Sequence, residues 1–145
     1  MKAYRFSLDT VMRIRALEER LVRERLILAQ RDLRQAQVVY GQAEASLAAL
    51  AVPTGPTTMD KVCWIGDQAT RLSDEVRVSR EALVAAASTR DEVSYLWHVT
   101  RKRLGTLERL DSEGRARWKG EVQRQEVAEL DDMANARHGL IRARS

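Results

Sequence analysis

The sequence predicts an all-α fold: a long antiparallel two-helix coiled-coil hairpin with an overhanging C-terminal helix. Three observations predict it. Charged residues make up 32% of the 145 residues and aromatics only 5%, a balance that suits long solvated helices and lacks the aromatic mass of a compact α/β core. Apolar residues recur at alternating spacings of three and four along two stretches. Between them lies one segment hostile to helix, AVPTGPTT at Ala51–Thr58, which holds both prolines of the chain.

The first helix is placed at about residues 8–50. Val22, Leu26, Ala29, Leu33, Ala36, Tyr40, Ala43, Leu47 and Leu50 form a heptad seam. Upstream, Leu8, Val11, Ile14, Leu17 and Leu21 continue an apolar stripe with threes in a row, which predicts a phase shift, a stammer, near Leu21 and Val22. At 1.5 Å per residue this helix spans roughly 65 Å.

The turn is placed at 51–58. Pro53 and Pro56 remove helix donors, Gly55 permits positive φ, and Thr58 or Asp60 can cap the helix that follows.

The second helix is placed at about 60–137, roughly 115 Å if continuous. Val62, Ile65, Ala69, Leu72, Val76, Ser79, Leu83, Ala86, Arg90, Val93, Trp97, Thr100, Leu104 and Leu107 alternate three and four without a break. In an antiparallel pair, facing residues have numbers with a constant sum. A sum of about 112 brings the seams together: Leu50 faces Val62, Leu47 faces Ile65, Ala43 faces Ala69, Tyr40 faces Leu72 and Val22 faces Arg90, with large residues mostly opposite small ones. Ile14 then falls near Trp97 and Leu8 near Leu104. From about Glu108 the second helix has no partner in the first. Gly105, Gly114 and Gly120 each weaken it by about 1 kcal/mol relative to alanine, so this overhang is expected to be helical in part and mobile, with a disordered end within a tail at 138–145. The whole is one domain's length, a rod with no enclosed core and no buried catalytic pocket.

Function classes narrow accordingly. The net charge is +4, from 25 cations interleaved with 21 anions, which allows acidic partners without demanding nucleic acid. Cys63 is the one cysteine, so no internal disulfide forms and a cytoplasmic location fits. The N-terminus lacks a signal-peptide core and the apolar runs are too short to cross a bilayer. No phosphate loop of the GxxxxGK[ST] type is present. Ser94 and His98 share a helix face but lack the third group and oxyanion site that nucleophilic catalysis needs. Glu126, Glu129, Asp131 and Asp132 lack calcium-type loop spacing, and a solvated face is the better reading. Cys63 with Trp64 reads as a partly buried cysteine at a helix start. No enzyme activity, cofactor or metal is expected.

Partner-binding candidates are fewer. Arg90 sits on the seam, where its stem packs and its head is expected to pair with Glu18 or Glu19 and fix the register. Trp118 continues the seam phase beyond the first helix and is expected to lack an internal partner. It reads equally as a binding hot spot or as a fold-back or self-association contact. Arg13, Arg15, Arg20, Arg23 and Arg25 crowd the first helix, with Arg101, Lys102 and Arg103 alongside in the hairpin. Arg13, Arg15, Arg20, Arg101 and Trp118 are therefore the candidates for partner contact.

The opening RFSLDTVMRIRALEERLVRERLILAQRDL resembles the start of the flagellar export protein FliJ family: Arg5, Phe6, Leu8, Val11, Ile14, Arg15, Glu18 and Glu19 occupy its basic, aromatic, aliphatic and Glu/Arg places. The distal RLGTLERLDSEGRARWKGEVQRQEVAELDDMANAR is similar to that family's second helix at Leu107, Glu108, Leu110 and Leu130-Asp131-Asp132. The resemblance spans nearly the whole chain. The proline-rich turn, the three distal glycines and the three tryptophans depart from it. Injectisome counterparts share the architecture. The resemblance implies a non-enzymatic stalk-like coupling protein of type III secretion. Its partners would be the hexameric export ATPase ring, a membrane export gate and export chaperones, at the inner face of the cell membrane. The alternative is a basic coiled coil that scaffolds proteins or binds nucleic acid; interleaved charge speaks against it. A third option is an obligate dimer forming a four-helix bundle, distinguishable by sedimentation.

Overall fold

A computed structural model describes residues 3–142, with side chains through 137. Two helices account for almost all of it: α1, Asp9–Ala48, and α2, Met59–Arg142. The fold is all-α, a hairpin of two long helices packed against each other. Asp9 and Asp60 stand in the first turns of the two helices, where a carboxylate is favourable beside the helix dipole. Thr58 caps α2 as expected, its Oγ1 accepting from the Lys61 amide at 3.4 Å. Gly55 does not use positive φ, and no described residue does. α2 continues through Gly105, Gly114 and Gly120 to Arg142, so the expected partial helix beyond Glu108 is unbroken helix instead. Three glycines cost about 3 kcal/mol of propensity, spread over a helix whose other residues are mostly good formers. The disorder expected of the last residues falls largely on 143–145, outside the described residues.

The chain divides into two compact units, Glu18–Thr100 and Met1–Leu17 with Arg101–Ser145. In the first, the expected seams are the packed ones. Val22, Ala29 and Ala43 from α1 and Ser79, Val93 and Thr100 from α2 are buried, and the seam residues between them are half-buried. The buried hydroxyls are satisfied within α2: Ser79 donates to the Val76 carbonyl and Thr100 to those of Leu96 and Trp97, each at 3.0 Å. Among the described residues no large side chain is completely buried, as a two-helix seam implies.

The register differs from the expected one. Trp97 Nε1 donates to Glu19 Oε1 at 2.9 Å, and Arg80 Nη2 donates to the Tyr40 hydroxyl at 3.1 Å. These bonds and the burial pattern fit a constant sum of about 119, one heptad beyond the expected value. The seams still face each other, but Tyr40 now lies level with Ser79, Ala29 with Arg90 and Val22 with Trp97. Each bulky side chain meets a smaller one, a better fill than the expected pairing of Val22 with Arg90. The same shift leaves the first turns of α2 beyond the end of α1: Val62 and Trp64 are exposed, as is Cys63. The cysteine expected to be partly buried is thus at the surface.

The expected stammer is absent. Toward its start α1 buries Glu19 and half-buries Arg15 and Met12 in unbroken three-four phase, while Val11, Ile14, Leu17 and Leu21 are exposed. Arg15 and Glu19 displace the apolar stripe because both find partners. Glu19 is 3% exposed, yet it accepts from Trp97 and from Arg23 Nε and Nη2 at 3.1 and 2.7 Å. A buried carboxylate so supplied with donors is tolerated, and the indole N–H gains the acceptor that burial requires.

In the second unit, Leu104 is buried and Leu107 half-buried on α2. The non-helical strap at 3–8 leads into α1 through bonds from the Asp9 amide to the Phe6 carbonyl and from the Met12 amide to the Leu8 carbonyl. Among the described residues no helix is long and apolar enough to cross a membrane.

Candidate functional site

The most built feature is a clasp in the second unit. Tyr4, on the strap, reaches α2 between Asp111 and Trp118. Its hydroxyl donates to the Asp111 carbonyl at 3.1 Å. Its ring lies 6.2 Å from that of Trp118, tilted by 49°, and the Arg115 guanidinium sits 5.5 Å from its centroid. The approach depends on Gly114. A Cβ at that position would stand 2.6 Å from the Tyr4 hydroxyl oxygen, closer than real contacts allow. Glycine is used here for the close approach of a neighbour and not for its backbone freedom.

Asp111 is the electrostatic centre of the clasp. One carboxylate oxygen pairs with Arg115 at 3.0 Å, and the other, Oδ1, is buried without a hydrogen-bond partner among the described residues. The Tyr4 hydroxyl pKa lies above the ordinary phenol value, first because the ring leaves water and then through Asp111, with Arg115 and Arg117 opposing. Beside the clasp runs a cleft of about 570 Å³ lined by Tyr4, Phe6, Asp9, Met12, Asp111 and Arg115 among others. The arrangement can hold a segment in place.

The sequence candidates fall into different roles. Trp118 was expected to lack an internal partner, but it is half-buried beside Tyr4; the fold-back alternative describes it. Arg13 is exposed and pairs with Asp9 at 2.8 Å, and Arg20 lies 3.6 Å from Glu24. Arg101 reaches Glu108 at 3.1 Å. Arg15 is half-buried on the seam line and engaged. Arg13, Arg15, Arg101 and Trp118 belong to the second unit and Arg20 to the first. The expected arginine patch is therefore largely matched by carboxylates on its own helices, at i,i+4 for Arg13, Arg20 and Arg23 and two turns on for Arg101. Lys102 and Arg103 are exposed and make no ion pair among the described residues.

Arg90 was expected to pair with Glu18 or Glu19. The ion pair it shows is with its neighbour Asp91, at 2.9 Å, while Nε is buried without a well-formed hydrogen bond. The polar lock of the register is instead Glu19 with Trp97. A second lock joins α2 to α1: Arg80 donates to Tyr40, whose hydroxyl donates in turn to Glu44. His98 stacks near Trp97, ring centroids 5.0 Å apart, and no hydrogen bond joins it to Ser94 among the described residues. Sequence reasoning did not name Tyr4, read Gly114 only as a cost to the helix, and gave Glu19 to Arg90 where the structure gives it to Trp97. Gly114 carried a signal: it falls in seam phase between Asp111 and Trp118, where a missing side chain implies a close neighbour.

Comparison with protein-family models, with curated proteins and with solved structures finds no match to the chain.

Proposed function

We propose that the chain is a non-enzymatic coupling element of a type III export apparatus, of the kind its resemblance to the FliJ family implies. The observation that carries the reading is the unbroken three-four seam by which one chain zips its two helices together in opposite directions. Such a pair is stiff, presents long charged faces and can make contacts along its whole exposed length. Its partners would be the export ATPase ring, the export gate and export chaperones, at the inner face of the cell membrane. Arg13 and Arg20 remain on the surface for those contacts, while Arg15 and Trp118 are committed to internal packing. The ion pairing of Arg13, Arg20, Arg23 and Arg101 supports a protein partner over a phosphate polymer, which favours a continuous unpaired cationic stripe.

The test is addition of the purified chain to its cognate export ATPase. Stimulated hydrolysis and co-purification are expected, both reduced by Arg13→Glu with Arg20→Glu. Absence of binding and of stimulation would refute the reading.

A further inference from the structure

The seams of the first unit allow more than one register. Both alternate three and four without a break, so sliding α1 along α2 by one heptad keeps every seam position facing a seam position. Packed interfaces of this kind exchange between discrete fits and do not deform continuously.

The observed register leaves two things unmade. Arg90, level with Ala29, keeps Nε buried without a well-formed hydrogen bond. At the start of α2, Val62 and Trp64 are 49% and 59% exposed, because α1 ends at Ala48, level with Arg71. A slide of one heptad toward the turn remedies the first and covers Val62. Leu50 and Leu47 then meet Val62 and Ile65. Val22 meets Arg90, which now lies one turn from Glu19, so the guanidinium gains a carboxylate at the seam. Trp97 comes level with Arg15, whose guanidinium can lie on the indole ring. The slide forfeits the Trp97 bond to Glu19 at 2.9 Å, the Arg80 bond to Tyr40 at 3.1 Å and the fit of Tyr40 beside Ser79. The opposite slide uncovers two further turns of α2.

The connection permits both states. Residues 49–58 are non-helical, and the chain from Ala48 to Met59 can reach up to about 36 Å when extended. The observed register asks it to pass about twelve residues of α2, roughly 18 Å, and the slipped register about five, roughly 8 Å. A tight turn would hold one register only.

We infer that the hairpin is a two-register device. α1 slides one heptad, about 10 Å, toward the turn, exchanging the Glu19–Trp97 and Tyr40–Arg80 locks for an Arg90–Glu19 pair and Arg15 on Trp97. Because α1 is one helix from Asp9, the slide also draws Tyr4 away from Asp111 and Gly114, and the clasp acts as a latch on the observed state. The device is a property of the hairpin and does not rest on the coupling role.

The test is the distance between spin labels on Ser46→Cys and Glu92→Cys, both exposed, in a Cys63→Ser chain diluted with unlabelled chain. The slipped register lengthens this distance by about 10 Å. The shorter distance should dominate in the otherwise wild-type chain. Trp97→Phe with Arg80→Ala removes both lock donors and keeps a ring for Arg15; it should raise the ratio of long to short on the order of a hundredfold. Adding Arg90→Ala should reverse most of that gain, which mere loosening of the hairpin would not. Independently of these variants, cysteines at Ala43 and Ala69, level only after the slide, should cross-link within one chain on oxidation, more slowly than cysteines at Ala43 and Val76. A helical double variant that keeps the short distance alone overturns the proposal. So does a long distance indifferent to Arg90→Ala, or a chain in which Ala43→Cys and Ala69→Cys never join.

Discussion

Replacing Gly114 by alanine should act against the usual propensity rule. Alanine for glycine within a helix is worth about 1 kcal/mol in favour of folding. Gly105, where an added Cβ meets nothing within 4 Å, should show that gain in full. At Gly114 the same methyl would lie 2.6 Å from the Tyr4 hydroxyl, and the strap must move away. Its departure forfeits the hydrogen bond to the Asp111 carbonyl, about 1 kcal/mol, and the contacts with Trp118 and Arg115, about 0.5–1 kcal/mol each. The loss of about 2–3 kcal/mol outweighs the gain, so Gly114→Ala should destabilise by about 1–2 kcal/mol. Once Tyr4→Ala has removed the clasp, Gly114→Ala should stabilise by about 1 kcal/mol instead. Urea midpoints for the four members of this cycle give the coupling, and amide exchange at residues 3–8 reports the strap directly. If Gly114→Ala stabilises equally with and without Tyr4, or leaves strap exchange unchanged, the reasoning is wrong.

Other consequences are as specific. Glu19→Ala should destabilise by about 2–4 kcal/mol, because it strands the Trp97 indole N–H and leaves Arg23 without its carboxylate; Glu19→Gln, which keeps an acceptor for Trp97, should cost less in the same denaturation experiment. The Tyr4 pKa is raised on folding, so the clasp's contribution is fully present below the unfolded value of about 10 and is lost as pH rises through the folded value. Ultraviolet titration should show a tyrosine phase above the ordinary phenol value, and Tyr4→Phe should remove that phase. Thr58→Ala should cost about 0.5 kcal/mol, the low end for an N-cap given its long bond to Lys61.

Much of this fold was legible in residue order. The seams from Val22 to Leu50 and from Ala69 to Leu107, the turn at Pro53–Pro56 and the cap at Thr58 follow from period and turn chemistry. The register was not, because sliding one seam past the other by a heptad keeps apolar residues face to face. What breaks that degeneracy is the fit of individual pairs, such as Tyr40 beside Ser79 or Ala29 beside Arg90, together with the two cross-helix hydrogen bonds. Hydrophobicity also pointed to the wrong line at the start of α1. Ile14 and Leu17 are the more apolar residues, but Glu19 and Arg15 are the ones that find partners. The clasp escaped notice since Tyr4 lies outside any periodic segment, and a lone glycine in a helix reads first as a cost.

Spin labels at Gln42 and Glu75, which line one shallow groove of the first unit, test the antiparallel pairing within one molecule most directly. They are introduced as cysteines in a Cys63→Ser background and diluted with unlabelled chain, so that only pairs within a molecule report. The two helices pack at about 8–10 Å, so the account predicts a single short distance, below about 25 Å with label linkers included. A long distance, or a short one that vanishes on dilution, would mean that the two helices of one chain do not zip together in opposite directions.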